Sequence, residues 1–170
     1  MHIIVGNGDI RNMGQDIDDF NTVIRINNAI FNLNDDVGWK IDVWSTRYRH
    51  DHRTGLPMEF PGVQKEILKI YPHLKVWVYN NGRPLNQFCR EITKKHGIFP
   101  TTGLLTLEKA LLDYGSPVHA IGFDFLDKSK LHHYWDKKEV TDSAIGRHNM
   151  EREKEIFSEY EKKGDLIWMQ

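Results

Sequence analysis

The chain opens with a short apolar run, Ile3-Ile4-Val5, that ends in Gly6-Asn7-Gly8. A run this short, apolar at every position and closed by glycines, predicts a buried strand meeting a tight turn. Comparable β-rich runs recur at Thr22-Val23-Ile24-Arg25-Ile26, Ile41-Asp42-Val43-Trp44 and Val76-Trp77-Val78-Tyr79. A further short strand is expected over Val118 to Phe123, and a last one over Leu166-Ile167-Trp168-Met169. Elsewhere apolar residues fall three and four apart, at about Val63 to Tyr71, Leu85 to Lys95 and Gly103 to Tyr114, which is helical spacing. Ile145 to Lys163 is strongly charged, yet it sets Ile145, Met150, Ile156, Phe157 and Tyr160 at that spacing and is read as a surface helix stopped by Gly164. Strands alternating with helices predict an α/β fold with a mostly parallel sheet covered by helices. No repeat, low-complexity tract or linker interrupts the pattern, and the polar stretch from Asp127 to Ser143 is its least regular part.

Composition narrows the class. With 170 residues, 39% hydrophobic and 28% charged, and with five Trp, six Tyr and eight Phe, the chain is expected to fold as one domain over residues 1–170. Lys and Arg (23) balance Asp and Glu (24), so no basic stripe points to nucleic acid. The single cysteine, Cys89, can form no disulfide within the chain, which fits a reducing compartment and a cytoplasmic location. The opening residues lack the pattern of a signal peptide, and no segment approaches the roughly 20 apolar residues that span a bilayer.

Three constellations could carry chemistry. Gly6-Asn7-Gly8-Asp9 follows the first strand, where a glycine turn lets backbone amides approach a phosphate; a plain strand exit would look the same. A dinucleotide fingerprint is poorly met, because Arg11 stands at the third glycine position and no acid follows Arg25-Ile26-Asn27 to hold a ribose. Phe99-Pro100-Thr101-Thr102-Gly103-Leu104-Leu105 reads as a helix entrance with a hydroxyl cap, whose amides and dipole attract an anion and whose Gly103 permits close approach by a ligand. A simple cap is the alternative. Histidines gather at Leu131-His132-His133-Tyr134-Trp135 and at His148; such residues can accept a proton from an alcohol or steady a phosphate, although each alone also suits a surface. His50-Asp51-His52 has no zinc spacing and is read as a loop.

In their order these pieces resemble the sialylmotifs of the sialyltransferase family (glycosyltransferase family 29-like), of which this would be a small soluble member. Ile3 to Gly8 through Ile17-Asp18 to Val23-Ile24-Arg25-Ile26-Asn27, continued by Asp36-Val37-Gly38-Trp39-Lys40, is similar to the long motif. Pro100 to Leu105 through Ala120-Ile121-Gly122-Phe123-Asp124 resembles the short motif, His132 to Asp136 the third, and His148 with Glu153 the very short one. The resemblance implies a Rossmann-like, sialyltransferase-type (GT-A-variant) fold and an inverting, metal-independent transfer from CMP-sialic acid to a glycan hydroxyl, with no cofactor. It implies a CMP-sugar donor and a glycan or lipid-linked glycan acceptor as partners, with no nucleic acid. Asp16-Ile17-Asp18 has the letters of a metal motif but falls where the family uses none.

Carried over by position, Asn7 and Asn27 would contact the donor phosphate and cytidine. Thr101, Thr102 and Gly103 would line the cytidine, ribose or sugar carboxylate. Gly8, Gly122, Phe123 and Tyr134 also fall on donor-binding positions. His133 would hold the phosphate, with adjacent His132 leaving the register open by one. His148 would be the base and Glu153 would support the architecture around it. The chain departs from the family in lacking the disulfide that joins the motifs in animal enzymes, and in placing Gly8 where a serine usually follows the asparagine. Two neighbouring readings stay open: a CMP-3-deoxy-octulosonate-dependent transferase on the same fold, and a non-catalytic CMP-binding module.

Overall fold

The structure is a computed structural model that describes residues 1–27, 33–47, 61–79, 86–125, 131–133, 136–139 and 148–169; for 61–65, 131–133 and 136–139 the description is of the backbone. His50-Asp51-His52, Leu85, Tyr134 and Ile145 lie outside it. The elements run β1 (His2–Val5), α1 (Gly14–Asp18), β2 (Thr22–Ile26), β3 (Val43–Arg47), α2 (Pro61–Ile70), β4 (Lys75–Tyr79), α3 (Gln87–His96), α4 (Thr102–Tyr114), β5 (Val118–Ile121), β6 (Leu131–His133), β7 (Asp136–Glu139), α5 (Met150–Lys162) and β8 (Leu166–Trp168).

Six strands form one sheet in the order β4-β3-β2-β1-β5-β8, every neighbouring pair parallel. Parallel sheets are covered on both faces, so their strands read as continuous apolar runs, and Ile3, Ile4, Val5, Val23 and Ile24 are all fully buried. Alternation along each strand then sorts side chains between two layers. Ile4, Ile24, Ile26, Val43, Val118 and Ala120 face α3, α4 and α5, packing with Leu104, Leu105, Leu107, Ile156 and Phe157. Ile3, Val5, Val23 and Ile121 face the other way, against Ile10, Ile17 and Phe20 around α1, while Trp44 packs there with Ile67 of α2 and Leu74. Each fully buried aliphatic side chain stabilises the fold by about 1.5–3 kcal/mol.

Arg25 interrupts the apolar pattern of β2 yet is fully buried. Its Nε donates to the Lys40 carbonyl at 2.8 Å and an Nη to the Val37 carbonyl at 2.9 Å, with the Asp18 carboxylate 3.8 Å away. Asp18 in turn accepts from the amides of Trp39 and Lys40 at 2.8 and 2.9 Å. The acids of Asp16-Ile17-Asp18 therefore part company: Asp16 is exposed, and Asp18 pins the 37–40 loop under the sheet.

Several boundaries differ from expectation. β3 begins at Val43, since Asp42 turns its carboxylate to the Val23 amide at 2.7 Å. β5 stops at Ile121, because Gly122 takes a positive φ of 72° that leaves the strand region. Within the polar stretch after Asp127, the described residues 131–133 and 136–139 form β6 and β7, which pair as an antiparallel ladder with His133 opposite Asp136. The surface helix begins at Met150, where the Asn149 side chain accepts from the Arg152 amide at 3.1 Å and caps it.

Candidate active site

Strand order reverses between β1 and β5: from β1 the chain winds outward through β2, β3 and β4, then crosses back to β5 on the far side. In open α/β sheets the crevice beyond the carboxyl ends at such a point is where ligands bind. Here it is a cleft of about 290 Å³, lined by Gly8, Ile10, Arg11 and Met13 after β1, by Ile121, Gly122, Phe123 and Asp124 at the exit of β5, and by Met169 after β8. The glycines bring the two exit loops together. The Gly6 amide donates to the Ile121 carbonyl at 2.8 Å and the Gly8 amide to the Gly122 carbonyl at 2.7 Å. A Cβ on Gly6 would stand 2.2 Å from the Gly122 oxygen, and one on Gly8 2.9 Å from it. The expectation that this turn frees its amides for a phosphate is thus corrected at Gly6 and Gly8, whose N–H groups extend the β1–β5 ladder. Asn7, between them, has a buried side-chain oxygen with no hydrogen-bond partner. Leaving such an atom unpaired costs about 1–3 kcal/mol, which a ligand donor at this spot would recover.

The entrance of α4 lies beside this turn. Thr101 caps the helix, its hydroxyl accepting from the Leu104 amide at 3.2 Å, as the sequence predicts. The anion drawn to this end belongs to the protein. Glu153, on the first turn of α5 and only 2% exposed, accepts from the Thr101 amide at 2.9 Å and from its hydroxyl. Burial holds the Glu153 carboxyl above its ordinary value, opposed by the Thr101 hydrogen bonds and by the charge of Arg47. Arg47 ends β3 and donates an Nη to the Pro100 carbonyl at 2.6 Å; desolvation lowers it to about 10, against the pull of Glu153, so it is still a cation at neutral pH. The close approach permitted by Gly103 is taken up by Phe123, whose ring carbon would lie 2.8 Å from a Cβ there. Phe123 also packs on Phe157 and Trp168, with ring centroids 5.3 and 5.8 Å apart.

His148, just ahead of α5, completes the group. Its Nδ1 lies 3.2 Å from the Phe99 carbonyl oxygen and its ring stacks on Phe99 at 5.9 Å. A continuous run of contacts therefore links the expected residues: Gly8 to Gly122, Phe123 to Gly103, Thr101 to Glu153, and His148 to Phe99 beside Pro100. Thr102 is buried inside α4, its carbonyl accepting from the Thr106 hydroxyl. Asn27 sits just past β2 with φ of 51°, a left-handed conformation that asparagine tolerates, and its carbonyl accepts from the Trp44 indole. His132 and His133 lie on β6, known here by backbone position. Beyond the expected residues, the site holds Arg47, and the cleft holds Arg11, Asp124 and Met169. A cation at the end of a strand whose other residues are all uncharged is the signal that points to Arg47.

The family model described as glycosyltransferase family 29 (sialyltransferase) matches residues 3–49 and 73–165. No curated protein matches the chain. Among solved structures, the crystal structure of a mammalian sialyltransferase superposes with a TM-score of 0.58 at 20% identity, covering 99% of this chain and 68% of that one, and so shares the fold.

Proposed function

Because the chain belongs to glycosyltransferase family 29, the sialyltransferases, we propose that it moves sialic acid from CMP-sialic acid to a glycan hydroxyl, with inversion at the anomeric carbon and without a metal ion. The observation that carries this reading is the chain of contacts at the carboxyl ends of the strands, from Gly8–Gly122 through Phe123–Gly103 and Thr101–Glu153 to the stretch at Phe99 that holds His148, with the buried carboxamide oxygen of Asn7 at its start.

In the proposed reaction the acceptor oxygen attacks the anomeric carbon from the face opposite CMP. The bond to the phosphate oxygen breaks, its electron pair leaves with CMP, and His148 takes the acceptor proton. The departing phosphate needs charge stabilisation more than an acid. Since Glu153 already occupies the end of the α4 dipole, that task falls to Asn7, Asn27 and His133, or His132 one residue earlier. Thr101, Thr102 and Gly103 border the nucleoside. Asp18 accepts from the Trp39 and Lys40 amides, a structural use of that carboxylate.

A CMP-release assay comparing CMP-sialic acid with CMP-3-deoxy-octulosonate separates the two acidic donors, and binding of CMP without release from either would leave a non-catalytic module. His148→Ala is expected to lower transfer by about 100 to 10,000 fold with the fold intact. A loss of only a few fold would remove His148 as the base. CMP at about 100 times its Kd should stabilise the protein by about 2.7 kcal/mol in a thermal-shift measurement, while NAD should do nothing. The reading of a reducing, cytoplasmic compartment rests on Cys89, the chain's single cysteine, which is buried and free. Among the described residues no helix is long and apolar enough to cross a membrane.

A further inference from the structure

We propose that Phe99 is a positioning residue for the base: its main-chain carbonyl fixes the proton of His148 on Nδ1 and its ring holds the imidazole plane, so that Nε2 takes the acceptor proton. This rests on the reading of His148 as the base.

A carbonyl oxygen only accepts. The imidazole nitrogen 3.2 Å from the Phe99 oxygen must therefore carry hydrogen, and in a neutral ring the other nitrogen then bears the lone pair. The two rings stack with their planes 28° apart and centroids 5.9 Å apart, which opposes rotation of the imidazole away from the carbonyl.

Both sides of this contact are anchored. Phe99 precedes Pro100, and a residue before proline is confined to extended backbone, which limits where its carbonyl points. The Pro100 carbonyl is held by Arg47 and the Thr101 amide by Glu153. On the other side His148 adjoins Asn149, the cap of α5, five residues before that same Glu153. Residues 99–101 and 148–153 thus meet twice, once through His148 and once through Glu153, so the carbonyl and the ring it orients cannot drift independently. Phe99 is still 38% exposed, more than a purely core-filling aromatic would be.

Long-range proton–nitrogen NMR of the full-length ¹⁵N-labelled protein, with His148→Gln to assign the signals, reads the tautomer directly. The expected spectrum shows a protonated Nδ1 and a bare Nε2; a proton on Nε2, or an even mixture, overturns the proposal. Phe99→Ala should mix the tautomers and lower kcat by about tenfold or more, on the scale that small misplacements of a reacting group cost, with KM for the CMP donor unchanged. Phe99→Tyr should restore both. A higher donor KM with kcat intact would instead make Phe99 a donor contact and sink the idea. If Phe99→Ala does not fold, Phe99→Leu reads the same loss of the flat ring. The two claims fail separately: His148→Ala with transfer intact removes the base itself, whereas loss of transfer with the opposite tautomer removes the role of Phe99 alone.

Discussion

Gly6 and Gly97 show how differently two glycines can be required. A methyl group on Gly6 would press on the Gly122 carbonyl at 2.2 Å, and that oxygen belongs to backbone that is itself hydrogen-bonded. Gly6→Ala should cost about 1–3 kcal/mol through overpacking, measured as a lower urea midpoint. Gly97 ends α3 with φ of 69° and nothing within 4 Å of a Cβ, so Gly97→Ala should cost about 1 kcal/mol through backbone strain alone. Sequence marked the turn at Gly6-Asn7-Gly8 as a place of close approach but not what approaches, since a phosphate and a neighbouring loop ask for the same missing side chain. Gly103 repeats the lesson with the Phe123 ring. Thr101 was legible because a hydroxyl cap is a local device, whereas its bond to Glu153 spans 52 residues and has no local signature.

At the scale of elements, three helices on one face are tied together by a carboxylate. Glu108 of α4, 7% exposed, accepts from Lys95 at 2.8 Å, from His96 at 2.5 Å, both on α3, and from the Tyr160 hydroxyl of α5 at 2.5 Å. Burial alone would raise its titration, but the hydrogen bonds from Lys95, Tyr160 and His96 outweigh it and hold Glu108 below the ordinary 4.5. With the folded value below the unfolded one, its contribution is complete above pH 4.5 and is lost as pH falls through the folded value. Glu108→Ala should destabilise by about 2–3 kcal/mol, under the usual cost of breaking a buried pair because the Lys95 side chain is 51% exposed. Chemical denaturation at neutral pH checks this, and the difference from wild type should shrink in acid. Strands β1 and β2 were readable as short apolar runs, and helix α4 from apolar residues three and four apart. Three other elements were not: α1 is only five residues long, too short to show a helical period, β6 is only three residues, and β7, Asp136-Lys137-Lys138-Glu139, is charged at every position where a strand pattern needs alternation.

Across the whole molecule, the candidate site and the two half-buried histidines at strand starts sit at opposite ends of the sheet. His2 starts β1 and stacks on Tyr114 at 4.5 Å, while His119 in β5 meets the edge of Phe20 at 4.9 Å, and each has a buried Nδ1 without a partner. Burial first, then the nearby N-terminal ammonium, lowers both below the ordinary 6.5, although a backbone hydrogen bond with His2 partly offsets this at His119. The fold therefore favours neutral imidazoles: stability is full above pH 6.5 and falls as pH drops below it. Thermal midpoints should decline between about pH 7.5 and pH 5.5, and His119→Gln should lessen that decline. The window lies above that of Glu108, so the two effects can be read in one titration.

The paired bonds from Gly6 and Gly8 to the exit of β5 also limit how this protein can breathe. Strand ends zipped beyond the sheet cannot part like jaws to swallow a nucleotide, so adjustment must come from the flanking walls. Deuterium uptake at those two amides should accordingly be slow in the empty protein and change little when CMP is added.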